Sequence, residues 1–281
     1  DVTGVQTCAL PISETLSVSA NIFVGQTEAP LLVRPFIKNM TQSELMTVMT
    51  GGFATVAGGV LALYVTWLGD IPGIAGHLLA ASVMSAPAAL AIAKIIYPET
   101  ELSETAGEIN IKVKKVDANS MDALGRGATE VLKLAANVGA MLIAFVSIVS
   151  MINYLLAIGG TSLEEIFAFV FKPLAWTMGV PWKEAGIMGM LMGEKIAFTE
   201  LIAYGDLKDL LASGQISDRT AIIASYALCG FANFGSIGIQ LGGIGGMAPE
   251  RRKDLAKIVG KAMIGGALAS WLTATIAGML I

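Results

Sequence analysis

The chain is poor in the residues that most enzymes and disulfide scaffolds use. It has 1 histidine and 2 cysteines in 281 residues, and charged residues make up 14%. Soluble domains carry about 25% charged residues. The single histidine, His77, cannot build a His-rich metal cluster, and no Ser-His motif accompanies it. Two cysteines, Cys8 and Cys229, give no multi-cysteine metal pattern. Aromatics are also few, at 7%.

What fills the chain instead is apolar: 54% of the residues are hydrophobic, and the mean hydropathy is +0.70. Residues 45–69, 71–93, 134–163, 220–249 and 262–281 contain no Asp, Glu, Lys or Arg. Each run approaches or exceeds the ~20 residues that carry a helix across a bilayer. The expectation is an all-α, multi-pass integral membrane protein of at least five spans.

Residues 1–13, "DVTGVQTCALPIS", match nothing downstream. From Val2 they resemble a translated sequencing adapter, so they are expected to be a non-native segment joined to a truncated frame. Residues 14–38 are interrupted by the polar knot Gly25-Gln26-Thr27-Glu28 and by Pro30, and read as a re-entrant hairpin. The next span, 41–68, is expected to break at Gly51-Gly52 and Gly58-Gly59, and a third segment covers 74–96. Residues 97–133 read as a cytoplasmic loop followed by an interfacial amphipathic helix bearing Asp122, Arg126, Glu130 and Lys133. A scaffold span and an aromatic interfacial helix fill 134–180. Residues 181–281 hold a second polar segment, a glycine-rich span and a last span. Residues 14–96 and 181–281 are then two repeats of one transport domain.

Basic residues suggest an orientation. The 34–38, 94–133 and 251–261 regions hold 13 Lys or Arg, the opposite side 4, and Lys195 stands alone inside the second polar segment. The side with 13 is expected to be cytoplasmic.

The two halves echo each other. Thr27-Glu28 precedes "GFAT" at Gly52, and Thr199-Glu200 precedes "GFAN" at Gly230. With the orientation above, the repeats are inverted. Inverted repeats of broken hydrophobic segments are a sign of a secondary transporter with its site near the midplane. Broken helices expose N–H and C=O groups, tolerated in a membrane only where they line a cavity. Glu28 and Glu200 are costly at such depth, at roughly 2.5–3.5 kcal/mol or more each, and intramembrane carboxylates usually serve function. The plainer reading has either glutamate neutralise Lys195. Asn233 and Ser236 fit a polar site or ordinary interhelical bonding.

"NIFVGQTEAPLLVRP", "MTGGFATVAGG", "GEKIAFTELIAY" and "YALCGFANFGSIGIQLGGIGGMAPERRKDLA" together resemble the concentrative nucleoside transporter family, in order, from Glu14 to Ile281. The resemblance implies a sodium- or proton-driven nucleoside symporter of the cell inner (cytoplasmic) membrane, working by alternating access. It also implies a homotrimer when full length, with no organic cofactor and no nucleic-acid partner. Gln26, Thr27 and Glu28 would face the nucleobase, with Gly25 and Val60 beside them. Glu200, Asn233 and Ser236 would meet the ribose hydroxyls, with Phe231 as an aromatic wall. Asn21, Val24, Thr55 and Val56 would hold Na+, which is favoured over H+ because the set offers oxygens only. Thr199 stands where the family commonly has Asn, and Gly235 where it often has Ser. Further N-terminal scaffold helices of the family are expected to be missing. An intramembrane enzyme or a channel built on Glu28 and Glu200 are the other classes weighed. The first lacks a nucleophile–base pair, and the second fits two opposed hairpins poorly, so the expectation is that the chain is not an enzyme.

Overall fold

The computed structural model describes residues 10–106 and 119–281, and among them all regular structure is helical. The first hairpin is α1 (Ile12–Ala20), a turn, and the short helices α2 (Ala29–Leu32) and α3 (Arg34–Ile37). Pro30 sits in the first turn of α2, where its missing N–H has no helical partner to lose. It starts a helix rather than breaking one. The expected boundary at residue 13 does not coincide with a structural one. Ser13 is buried within α1 and its hydroxyl donates to Glu44 at 2.8 Å. Residues 1–9, including Cys8, lie outside the described residues.

α4 (Gln42–Ala54) opens with a capping box, in which the Thr41 hydroxyl accepts from Glu44 N and the Glu44 carboxylate accepts from Thr41 N. α4 stops at Thr55-Val56-Ala57, where Thr55 and Ala57 are extended, and α5 (Gly58–Trp67) resumes. Gly51 and Gly52 are helical, so the span does not break there. Their role is close packing. A Cβ on Gly51 would stand 2.7 Å from Val18 Cγ2, and one on Gly52 would stand 2.8 Å from Gln240 Nε2. After a turn at Gly73, α6 (Ile74–Ile96) follows.

α7 (Ser120–Ile158) is one continuous helix of 39 residues. The expected separation of an interfacial helix from a span at residue 134 is therefore absent: the charged positions from Asp122 onward and the apolar run belong to one helix. The chain bends by 91° between the end of α7 and α8 (Leu163–Thr177). α9 (Ala185–Ala197) and α10 (Glu200–Ala212) form the second hairpin, turning at Phe198-Thr199. α11 (Asp218–Leu228) and α12 (Phe234–Met247) are the second broken span, and α13 (Arg252–Leu280) closes the fold.

By length and composition, three segments among the described residues suit a membrane crossing, Gln42–Trp67, Ile74–Ile96 and Pro249–Leu280, or four if the α7–α8 bend is one span. The remaining charge-free run, 220–249, is divided between α11 and α12, of 11 and 14 residues, much as Gln42–Trp67 is divided between α4 and α5. At 1.5 Å per residue neither half crosses a ~30 Å hydrocarbon core.

α13 packs against α4, α6, α11 and α12, and so holds both broken spans. Its glycines make this possible. A Cβ on Gly266 would lie 2.3 Å from Phe53 Cβ. The two breaks also touch directly. Phe231 N donates to Thr55 O at 3.3 Å, and Ser270 Oγ of α13 donates to Cys229 O of the second break at 2.8 Å. Gly230, at φ +145°, lies so near α4 that a Cβ would stand 2.8 Å from Phe53 O. His77 bonds Tyr226 Oη through Nδ1 at 3.1 Å, joining α6 to α11.

Candidate functional site

At the first hairpin tip, Glu28 N and Ala29 N both donate to Gly25 O at 3.1 Å, making a tight turn. A Cβ on Gly25 would lie 2.3 Å from Glu28 Oε2, so a side chain there would displace the Glu28 carboxylate. The Thr27 hydroxyl donates to the same oxygen at 2.9 Å. Glu28 itself is exposed, whereas Gln26 and Thr27 are buried.

At the second hairpin tip, Thr199 is the N-cap of α10, and its hydroxyl accepts from Ile202 N. Glu200 follows in the first turn, where a negative charge suits the helix N-terminus. Its carboxylate is 5% exposed and has two donors. Asn233 Nδ2 donates to Oε2 at 3.0 Å and Tyr64 Oη to Oε1 at 3.3 Å. Asn233 is in turn the N-cap of α12, its Oδ1 accepting from Ser236 N at 2.7 Å. Tyr64 stacks on Tyr204 with centroids 3.9 Å apart. Thus a residue from each broken span grips the carboxylate of the second hairpin.

Lys195 does not neutralise either glutamate by direct contact. It is wholly buried, its ammonium donates to Ala227 O at 2.9 Å, and no ion pair to it is formed among the described residues. The plainer reading of Glu28 and Glu200 therefore lacks its salt bridge.

Both tips open on one cavity of about 290 Å³, near the lower end of the ~300–1,000 Å³ usual for ligand pockets. The first hairpin contributes Gly25, Gln26, Thr27 and Glu28, and the second contributes Thr199, Glu200 and Leu201. The breaks supply Ala57, Phe231 and Asn233, and α12 adds Ser236 and Ile239. Of the nine binding residues expected, eight meet here. Val60 does not line the wall; it is half-buried in α5 and packs on the apolar core. Acceptors (two carboxylates), donors (amides), hydroxyls and one aromatic face surround the space, a set suited to a polar, ring-containing solute rather than to bond cleavage.

Beside the cavity, Asn21 is the C-cap of α1 and is fully buried. Its Nδ2 donates to Ser17 O at 3.1 Å, while Oδ1 has no hydrogen-bond partner among the described residues. The Thr55 hydroxyl donates to Gly51 O at 3.2 Å, which leaves its oxygen lone pairs available. Gly58 N donates to Phe23 O at 3.0 Å and ties this turn to the first break. Val56 is buried, and Val24 is 38% exposed. A buried oxygen such as Asn21 Oδ1 fits a hard cation, which takes oxygen ligands.

The family model described as "Na+ dependent nucleoside transporter C-terminus" matches residues 77–278. The chain belongs to this family. It is a family of membrane transporters, not enzymes. An uncharacterized transporter of Haemophilus influenzae is 47% identical over 96% of this chain and 66% of its own length. The sodium/nucleoside cotransporter 1 of mouse is 44% identical over 95% of this chain, which spans only 44% of it. Among solved structures, CNTnw in an inward-facing substrate-bound state is 45% identical, with a TM-score of 0.79 over 96% of this chain and 65% of that one. The all-helical fold of hairpins and broken helices is shared with that structure.

The sequence reading missed Tyr64, Tyr204 and Gln240. Gln240 carried a usable signal: it falls four residues after Ser236 in an otherwise apolar helix, so the two share a face. Tyr64 and Tyr204 carried none, since an aromatic in an apolar run reads as packing.

Proposed function

We propose that the full-length protein is a sodium-coupled nucleoside symporter that imports nucleosides across the cytoplasmic membrane by alternating access. The carrying observation is the buried Glu200 carboxylate, held by Asn233 and Tyr64 at the wall of a cavity that the other hairpin tip completes. Ribose hydroxyls are donors that such an acceptor recognises strongly. The Gln26–Glu28 tip then reads the base edge, and Phe231 supplies a flat face. A site built to bond hydroxyls rejects analogues that lack them.

Asn21 and Thr55 would hold Na+ through side-chain oxygens, and Val24 and Val56 through carbonyls. Bound there, the cation supplies positive charge that fixes the first hairpin against the break. The relatives named for sodium/nucleoside cotransport support this choice over protons. The inverted hairpins support alternating access from opposite sides. A homotrimer is proposed for the full-length protein.

Labelled-uridine uptake into proteoliposomes, with and without an inward sodium gradient, tests the reading. Gradient-dependent uptake is expected. Uptake driven equally by a proton gradient without sodium would reassign the coupling ion, and no uptake of any nucleoside would overturn the function.

A further inference from the structure

Lys195 lies near the end of α9, just before the Phe198-Thr199 tip of the second hairpin, and is wholly buried. A buried ammonium is costly unless its surroundings supply negative potential. Here they are backbone. Its Nζ donates to Ala227 O at 2.9 Å. From the other leg of the hairpin, α10, Tyr204 Oη donates to Ser225 O at 2.6 Å. Both carbonyls belong to the last turn of α11, which ends at Leu228. The last carbonyls of a helix have no intrahelical partner and form the negative end of its dipole. Each leg of the second hairpin therefore caps the broken end of α11, one with a neutral hydroxyl and the other with a full positive charge.

The first half is built differently. Residues 12–33, which carry α1 and α2, contain no Lys or Arg. That hairpin is tied to its break through the backbone, Gly58 N donating to Phe23 O at 3.0 Å. It also keeps the buried Asn21 Oδ1 without a hydrogen-bond partner among the described residues. One hairpin thus carries a cation of its own, and the other carries an unfilled acceptor.

We propose that Lys195 is a tethered cation and a positioning residue: its ammonium seats the second hairpin on the C-terminal end of α11, so that this half is held without a bound ion. Glu200 stands just across the hairpin turn, and its carboxylate interacts with the ammonium through space. Seating Lys195 therefore sets where Glu200 meets Asn233 and Tyr64. The inference rests on the sodium-coupled nucleoside reading above. It adds to that reading a second positive charge, which serves the opposite half and stays with the chain.

The test measures uridine binding to the full-length protein in detergent at saturating sodium, by titration calorimetry. Lys195→Ala removes the tether and leaves room for n-propylammonium, which restores the missing atoms. Lys195→Met fills most of the same space without the charge, and serves where the alanine variant does not fold. Loss of a charged hydrogen bond should raise the uridine dissociation constant about tenfold or more in both variants. Propylammonium should recover most of that loss in Lys195→Ala, and 1-propanol, a neutral donor of the same length, should not. Half-saturating sodium, read at uridine concentrations scaled to each dissociation constant, should stay within about twofold of the wild type, because the proposed sodium ligands lie in the other half. Wild-type affinity in Lys195→Met would reduce the lysine to packing and overturn the proposal. Rescue of folded Lys195→Ala by neither compound, or equally by both, would also overturn it. So would a shift in half-saturating sodium as large as the loss in uridine affinity. Uridine binding by the wild type that ignores sodium, or no binding at all, would instead overturn the function proposed above.

Discussion

Glu200→Gln removes one charge and changes no shape, so it isolates what the carboxylate does. Asn233 Oδ1 accepts from Ser236 N at 2.7 Å, which pins Asn233 with Nδ2 toward position 200 at 3.0 Å. A glutamine must meet that donor with its oxygen. Its amide nitrogen then faces Tyr64 Oη, 3.3 Å from the present Oε1, and a phenol oxygen accepts as well as donates. Both protein contacts survive, so the fold should tolerate the change. What is lost, on the proposed function, is a charged acceptor for a ribose hydroxyl. Hydrogen bonds to charged groups contribute ~1.5–3 kcal/mol, which corresponds to about a 10- to 150-fold rise in dissociation constant. Competition of uridine and of uracil against labelled uridine, in proteoliposomes carrying the full-length protein, reads both ligands in one assay. Uridine should weaken by that factor, and uracil, which has no ribose, by less than about threefold. Equal losses for the two would remove Glu200 from the ribose side, and unchanged uridine affinity would remove it from the site.

Three further outcomes are expected. Asn21→Ala, which deletes the unpartnered buried Oδ1, should raise the half-saturating sodium concentration by about tenfold, equivalent to ~1.4 kcal/mol, as read from uptake at fixed nucleoside. Gly266→Ala puts a Cβ 2.3 Å from Phe53 Cβ, and overpacking of that kind costs ~1–3 kcal/mol, so the melting temperature in detergent should fall. Glu184, in the loop before α9, has a carboxyl below its ordinary value of 4.5; partial burial opposes ionisation, and hydrogen bonds from Thr220 and Ser217 overcome that. Its small stabilising contribution is therefore complete above pH 4.5 and is lost as pH falls through the lower folded value, so Glu184→Gln should flatten the acid limb of stability against pH.

The parts of the site that were legible in the sequence are those that violate their surroundings. Glu28 and Glu200 stand out because a carboxylate in an apolar stretch is costly, and repetition beside a threonine in each half marked them as a pair. Gly230 was legible as a breaker, and the structure gives the cause: its positive φ and the carbonyls of Phe53 and Ala54 within 3 Å of any Cβ. Gly51 and Gly52 were misread for a related reason. Glycine in a span marks either a break or a close approach, and composition does not distinguish them. Only the facing residues do, here Val18, Gln26 and Gln240.

What stayed hidden is the layer that orients the ligand-facing groups. Tyr64 belongs to α5 of the first broken span, yet it serves Glu200 of the second hairpin, 136 positions away. Gln240 belongs to the second broken span, yet it sets Gln26 of the first hairpin, 214 positions away. Each half thus supplies the positioning residue for the other half's hairpin. An exchange of this kind leaves no local pattern, because each donor and its acceptor lie on different repeats. It does have a mechanical consequence. A hairpin that moves away from the opposite broken span must surrender the contact that orients its binding residue. Under the proposed alternating access, opening of either hairpin would therefore coincide with loss of the contact that orients its cavity-lining residue.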